Sequence, residues 1–429
     1  MTIALIALAI LFLLLLLEVP IAIAMLAVGI GGFASIVGLP AAGYMAADSA
    51  YRTVHSYNLS VIPLFILMGN LINRAEISKE LFDFAYRFVG HLRGGLAIAT
   101  VISGGMFSAV CGSSLATAAT MGRIAYPSMK RYGYDDGLAS GSIAAAGTLG
   151  IMVPPSVALI VYGVLTQTDI GKLFIAGVVP GILGALLYIG AVMFSTRVHP
   201  NSGPAGERSS WGERFNALKS VGAVVVLFGI VIGGIYGNLF TPTEAAGVGS
   251  VGALAITLWR RKLTLRSFFE TLGETAVMSA TIFFILVGAQ IFGNFINVAG
   301  FTAALQSLVA GLDLPAWAMM MLIILLYVVL GCVLESMSML LLTIPIIYPL
   351  VLSLGFDPIW FGIIVVTLIE IALITPPVGM NVYILQGVLP GVPLKRMFAG
   401  VGYFVLADII RIALLLLLPG LVLWLPGLM

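Results

Sequence analysis

Two stretches of this sequence combine residues that can do chemistry with residues that break a helix. Gly112-Ser113-Ser114-Leu115-Ala116-Thr117 sets small hydroxyl-bearing residues into an apolar run, and Gly147-Thr148-Leu149-Gly150-Ile151-Met152-Val153-Pro154-Pro155-Ser156 ends another run on two prolines. Adjacent prolines withdraw two backbone donors and disfavour helix in the residue before them. In hydrocarbon each unsatisfied polar group costs several kcal/mol, so such a break persists only where the freed carbonyls meet water, protein donors or a cation. The carbonyls of Gly150 and Val153 and the hydroxyls of Ser113, Ser114 and Thr148, with Ser108 and Pro155 in the same set, would form an uncharged cage of oxygens. That donor set suits sodium and suits zinc or calcium badly. The second half of the chain offers a matching set around Thr375-Pro376-Pro377: Gly331, Glu335, Ser336, Ala372, Thr375 and Val378, for a second sodium ion. A solute held between the two sites would meet Ser114, Arg123, Ser156, Ser338 and Asn381.

Each of these residues also has an ordinary structural use. Small residues let membrane helices pack closely, and Ser or Thr can bond back to their own helix. Arg123 either snorkels to the membrane surface or clamps a solute carboxylate through a bidentate contact. Glu335 and Glu370 are expected to face each other across the second break, and Asp408 and Arg411, three apart on one helix, to neutralise each other. What favours function over packing is that the hydroxyl clusters occur twice, each time beside tandem prolines.

The elements that must position these residues are membrane helices. Of 429 residues 61% are hydrophobic and 9% charged, too little polar surface for a soluble fold of this length. Apolar blocks lie at about 2–38, 58–72, 94–122, 138–167, 173–196, 218–259, 276–311, 316–354, 358–388 and 397–426, most holding one span and the longer ones two or a span plus a hairpin. No Lys or Arg precedes the first apolar run and no small-residue cleavage site follows it, so it reads as a span and not a leader. Residues 73–93 mix charges with Leu81, Phe82, Phe84 and Phe88, the pattern of an interfacial amphipathic helix. Residues 197–219 are the one linker, with Pro200, Gly203, Pro204 and Gly206. That segment, the run Arg260, Arg261, Lys262 and Arg266, and the pair Lys395 and Arg396 carry the positive excess that marks cytoplasmic loops.

A step of 222 residues takes Ser114 to Ser336, Ile124 to Ile346, Tyr126 to Tyr348, Pro127 to Pro349, Gly133 to Gly355, Asp135 to Asp357, Pro154 to Pro376 and Pro155 to Pro377, without a gap. Most matches fall on turn-formers and helix-breakers, which points to duplication. The positions matching Arg260 and Lys395 in the first copy have little basic content, so the copies are expected to be antiparallel. The expected architecture is an all-α, inverted-repeat membrane transporter: residues 1–196, a linker at 197–219, and residues 220–429. It has about eleven transmembrane helices, two re-entrant hairpins and broken helices at 147–156 and 369–381.

At these motifs the chain resembles the large membrane subunit of TRAP transporters, the tripartite ATP-independent periplasmic family. The resemblance rests on residues 112–117, Lys130-Arg131-Tyr132-Gly133-Tyr134-Asp135, the stretch ending at Ser156, Thr241-Pro242-Thr243-Glu244-Ala245-Ala246, Leu354-Gly355-Phe356-Asp357-Pro358 and Thr375-Pro376-Pro377-Val378-Gly379-Met380-Asn381. Arg123 stands where the family pattern has a small or apolar residue. The resemblance implies sodium-driven uptake of a small organic anion across the bacterial inner membrane, with an elevator-like movement of a transport core. It also implies two partners, a small four-helix membrane subunit and a periplasmic solute-binding protein.

Other classes fit poorly. The three histidines, His55, His91 and His199, lie in polar segments away from the apolar serines, which leaves no base for a serine nucleophile. There is no phosphate-binding Gly-x-x-x-x-Gly-Lys, hence no ATPase, and no cofactor motif. A net charge of +2 without a long basic cluster excludes nucleic-acid binding, and two cysteines, Cys111 and Cys332, exclude a disulfide framework. The remaining alternatives are a stand-alone sodium/carboxylate carrier, a gated channel and a non-transporting scaffold.

Overall fold

The computed structural model describes residues 2–429, and every regular element among them is helical. The first half runs α1 (Thr2–Leu16), α2 (Ile21–Val37), α3 (Leu39–Val54), α4 (Val61–Arg74), α5 (Ile77–Val89), α6 (Gly95–Cys111), α7 (Ser114–Arg131), α8 (Asp136–Met152), α9 (Val157–Thr166) and α10 (Ile170–Val198). The second half runs α11 (Trp211–Tyr236), α12 (Pro242–Trp259), α13 (Leu265–Val298), α14 (Phe301–Gly311), α15 (Ala316–Gly331), α16 (Ser336–Ser353), α17 (Pro358–Ile374), α18 (Met380–Val388) and α19 (Leu394–Leu417). Six helices are long and apolar enough to cross a membrane alone, or seven with the bent pair α3–α4, and shorter apolar helices add to them. Large apolar side chains such as Leu186, Phe194, Leu325, Val329 and Ile409 stay exposed around the bundle, as a lipid-facing girdle requires.

The step of 222 seen in the sequence governs the helix ends. α7 and α16 begin at Ser114 and Ser336 and end at Arg131 and Ser353; α8 and α17 begin at Asp136 and Pro358 and end at Met152 and Ile374. Capping chemistry explains why. Asp135 accepts from the amides of Gly137 (2.9 Å) and Leu138 (3.2 Å), and Asp357 from those of Ile359 (2.8 Å) and Trp360 (2.9 Å). Gly133 (φ +75°) and Gly355 (φ +82°) take the left-handed conformation that turns the chain before each cap. Tandem prolines then stop both α8 and α17.

Contacts between loops fix the direction of each copy. Asp135 meets Arg396 (3.2 Å), and its amide donates to the carbonyl of Ser202 in the linker (2.9 Å). Arg87 on α5 pairs with Glu213 (2.9 Å), Glu80 on α5 with Arg260 (2.6 Å), and Arg260 also donates to the carbonyl of Ser220. The three basic segments therefore share one face. On the other face, residues 56–58, 167–170 and 241–243 line one cavity, and Gly355, Phe356 and Asp357 meet Leu416 and Leu417 in another. Tyr348 donates to the carbonyl of Thr166 and joins these two groups. α10 thus leaves the second face at Ile170 and reaches the basic face at His199. Its counterpart α19 starts at the basic face and ends on the other, packed against α10 through Tyr188–Phe404 and Phe194–Tyr403. The copies run in opposite directions.

Two local features depart from the hydrophobic pattern. The pattern gives no element at 39–57, yet α3 is a helix there, bent by 54° from the segment that contains α4. Pro63 cannot donate to the preceding turn, whereas its counterpart in the continuous α13 is Ile285. The non-helical linker is narrower than 197–219: it spans 199–210, because a capping box between Ser210 and Glu213 starts α11 at Trp211. The amphipathic reading of 73–93 matches α5, which buries Ile77, Leu81, Phe82 and Ala85. Just before α5, Lys262 holds the exposed Glu76 carboxylate below its ordinary range by hydrogen bond and charge.

Candidate functional site

Each copy brings two helices tip to tail and then ends a third on prolines. α6 and α7 pack against each other after a break at Gly112-Ser113, and α15 and α16 do so after a break at 332–335. In the first copy the proline break is shorter than the sequence suggested. α8 stays helical to Met152, so Gly147, Thr148 and Gly150 are helical and only 153–156 is open. Helical geometry persists because Val153 still donates to Leu149 (3.0 Å); the donors lost are those of residues 154 and 155. The carbonyls of Gly150 and Ile151 are the ones whose partners four residues on are prolines. The Ser156 hydroxyl takes the Ile151 carbonyl and accepts from the amide of Leu159 (3.2 Å), capping α9. Ser156 is thereby engaged with its own backbone. The Gly150 carbonyl keeps no such amide. Gly150 lies directly against Ser108, with no room for a side chain between them, and Ser108 is fully buried with its hydroxyl on the Gly105 carbonyl (3.2 Å).

Ser113 caps α7, accepting from the amide of Ala116 (3.3 Å). Ser114 is drawn to the other copy: its hydroxyl lies 2.7 Å from the amide nitrogen and 2.9 Å from the amide oxygen of Asn381 on α18. Asn381 also donates to the carbonyl of Ala144 (2.9 Å) and is fully buried. Gly147 leaves the space for this contact, since a β-carbon there would stand 2.9 Å from the Ser114 carbonyl and 3.2 Å from the Asn381 amide. Thr148, expected at the first site, has other partners in the structure. Its hydroxyl bonds the Ala145 carbonyl (2.9 Å) and reaches Tyr188 on α10 (3.2 Å). Thr117, part of the first hydroxyl motif but assigned to no site from sequence, is fully buried and its hydroxyl makes no hydrogen bond. Its signal was the three-residue spacing from Ser114 on the buried face of α7.

The second break repeats the first with different residues. Pro376 and Pro377 leave the carbonyls of Ala372 and Leu373 without the amide four residues on, and Thr375 closes α17 by donating to Ile371 (2.6 Å). Gly331 packs directly on Ala372. Gly331, Ser336, Ala372 and Val378, four of the six residues expected here, line one cavity of about 10 Å³ together with Leu334 and Met339. About 10–15 Å³ is the least space that holds a single water-sized body. Glu335 is exposed and caps α16, accepting from the amides of Met337 and Ser338 (both 3.1 Å) and from the Ser338 hydroxyl (3.3 Å). The orphan amides of a helix N-terminus draw a carboxylate to that place. It does not face Glu370, contrary to expectation, and Ser338 spends its hydroxyl on Glu335.

Arg123 is not brought to Ser114. Nine residues on in the same helix, it lies about half a turn round and about 13 Å along the axis, on the exposed face. The expected pair Asp408–Arg411 is present at 2.8 Å, and Glu370 joins it from α17.

Broken helices at matching places in antiparallel copies, buried within an apolar girdle, define a multi-pass membrane transporter subunit. Residues 8–421 match the family described as tripartite ATP-independent periplasmic transporter, DctM component, and the chain belongs to that family. It is 38% identical over 345 residues to the C4-dicarboxylate TRAP transporter large permease protein DctM of Pseudomonas aeruginosa, covering 80% of each chain. It is 34% identical to the sialic acid TRAP transporter large permease protein SiaM of Vibrio cholerae, covering 89% of each. To the ectoine/5-hydroxyectoine large permease UehC of Ruegeria pomeroyi it is 33% identical, covering 76% of each. Among solved structures the fold is similar to the YdaH transporter of Alcanivorax borkumensis, with a TM-score of 0.64 at 13% identity over 90% of each chain. These relatives are transporter subunits, not enzymes. Membership places the chain in the bacterial inner membrane and implies a small membrane subunit and a periplasmic binding protein as partners.

Proposed function

We propose that this chain is the permease of a sodium-coupled secondary transporter that imports a small organic acid, a carboxylate or sugar acid, delivered by the binding protein. One sodium ion is held at Gly150 with Ser108 and the tip at Ser113 and Ser114. The other is held in the small cavity at Gly331, Ser336, Ala372 and Val378. Binding there orders the two hairpin tips, and the solute sits between them, against Ser114 and Asn381. The core that carries both breaks then moves against the remaining helices in an elevator-like step, exchanging access from one face to the other.

The observation that carries this reading is the cavity at the second break: sized for one ion, beside carbonyls that proline has stripped of their amide partners. Two relatives are named for C4-dicarboxylate and sialic acid, which are organic acids, whereas a third is named for ectoine. The breaks are accordingly read as general to the permease, and the choice of acid as residing largely in the binding protein.

The test is uptake into vesicles holding this chain with its small subunit and loaded binding protein. An inward sodium gradient should drive accumulation, and an equal potassium gradient should not; equal uptake in both would defeat the coupling. Counterflow separates a carrier from a channel, since only a carrier accelerates labelled-solute entry against unlabelled solute inside.

A further inference from the structure

α11 enters the bundle from the basic face with its first turns uncovered: from Trp211 to Ser220 no residue is buried, and the buried positions of the helix begin at Val221. Its 26 residues span about 39 Å, roughly 9 Å more than the hydrocarbon core of a bilayer, so its basic end lies among lipid headgroups. A second helix end marks the same level. Arg260 donates to the Ser220 carbonyl (2.6 Å), which brings the preceding residue of α12, Trp259, to the depth of these turns. Trp211 is 76% exposed and Trp259 78%. Exposed tryptophans at one depth are the signature of the membrane–water boundary.

The side chains of these turns are sorted by chemistry. At about 100° per residue, Trp211, Phe215 and Leu218 share one exposed strip of α11, with Arg214 on one flank and Lys219 on the other. Val225 and Val226, exposed on later turns, continue the strip towards the hydrocarbon. The Arg214 guanidinium lies over the Trp211 ring (4.9 Å to its centre) and over Phe88 of α5 (5.7 Å), and its Nε donates to the Arg87 carbonyl (3.1 Å). The Lys219 ammonium lies over the Phe215 ring (4.8 Å). Neither cation has a carboxylate partner among the described residues. Glu213, the acid of these turns, is held by Arg87 and by its own cap at Ser210, and Glu80 of α5 is taken by Arg260. An aromatic ring steadies a cation without neutralising it. Two held positive charges therefore stand at headgroup depth with no anion of the protein's own.

We infer that the first turns of α11 bind the phosphate headgroup of an anionic phospholipid. Arg214 and Lys219 supply the charge, and Trp211, Phe215 and Leu218 lie against the glycerol and the upper acyl chain. Charge complementarity selects this occupant, because a zwitterionic lipid brings no net charge to offset the two cations. The basic face is the cytoplasmic one, so the lipid belongs to the cytoplasmic leaflet. The site is separate from the oxygen-lined breaks and does not depend on what those breaks bind.

The test uses the full chain with its small membrane subunit in phosphatidylcholine vesicles that carry a small fixed fraction of phosphatidylglycerol. One lipid or the other is brominated to quench nearby tryptophan, and subtracting the same measurement on Trp211→Phe isolates the Trp211 signal. Per mole of lipid, phosphatidylglycerol should quench Trp211 about 25-fold more effectively than phosphatidylcholine, a factor of about five for each cation near an anionic lipid. Lys219→Gln, a change at an exposed side chain, should cut that preference about fivefold. Lys219→Arg should keep it, and Arg214→Gln combined with Lys219→Gln should abolish it. Inorganic phosphate should weaken it no more than chloride does at the same ionic strength. Equal quenching by the two lipids, a preference unmoved in Lys219→Gln, or specific displacement by inorganic phosphate would each overturn the assignment. So would a Trp211 that neither lipid reaches, the mark of a face covered by the partner subunit.

Discussion

The contact between Ser114 and Asn381 joins the tip of the first hairpin to the second proline break, and its strength can be measured. Asn381→Ala removes the pair with Ser114 and the bond to the Ala144 carbonyl (2.9 Å), two buried interactions worth a net of about 0.5–1.5 kcal/mol each. The expected loss of stability is therefore about 1–3 kcal/mol. The pairwise part is smaller. Side-chain hydrogen bonds between membrane helices average about 0.6 kcal/mol and reach about 1.7 kcal/mol in double-mutant cycles. With Asn381 fully buried and Ser114 nearly so, the upper half of that range is the expectation, about 1–1.7 kcal/mol. The assay is equilibrium unfolding of wild type, Ser114→Ala, Asn381→Ala and the double variant in one detergent. Single losses that add to within about 0.3–0.5 kcal/mol would refute the reasoning, because sites without contact behave that way. A coupled pair should also shift the sodium concentration for half-maximal uptake in both single variants, and the double variant should move little further.

Other substitutions probe the same geometry. Gly147→Ala places a methyl 2.9 Å from the Ser114 carbonyl, and overpacking of this kind costs about 1–3 kcal/mol; unchanged unfolding and uptake would show that the tip is not held there. Ser156→Ala removes the cap of α9 and the partner of the Ile151 carbonyl, with an expected loss of about 1–2 kcal/mol read by thermal unfolding. Gly331→Ala pushes a methyl onto Ala372 and into the small cavity, so sodium dependence of uptake should weaken severalfold while the solute affinity of the separate binding protein stays as it was.

The breaks were legible in the sequence because proline and N-cap residues act locally. Asp135, Asp357, Pro154 and Pro376 set helix ends whatever surrounds them, which is why the step of 222 appears in both the residues and the structure. The direction of the copies was legible through basic loops, since charge chooses a face independently of packing. What the sequence could not give was the direction a side chain turns. Thr148 and Ser156 carry the right atoms at the right places, yet one turns to Tyr188 and the other to its own backbone. Glu335 and Glu370 looked like partners by position, but a free helix N-terminus claimed the first and a guanidinium the second. Arg123 stands away from Ser114 by helical phase, since nine residues make about two and a half turns, and its exposed side is the one the snorkelling alternative needs. α3 was missed because Asp48, Ser49, Arg52 and Thr53 interrupt its apolar run.

The central claim is that each break binds a sodium ion, and the chain carries its own reporters. Cys111 immediately precedes the first hairpin tip, and Cys332 lies at the second, with its sulfur 3.6 Å from the Pro376 carbonyl; both are half-buried. The rate at which a small maleimide alkylates each thiol, read separately in Cys111→Ser and Cys332→Ser, measures how closed each tip is. Sodium should slow both reactions in a saturable way, and potassium at the same ionic strength should slow neither. Rates that respond equally to the two salts would contradict the account at its base.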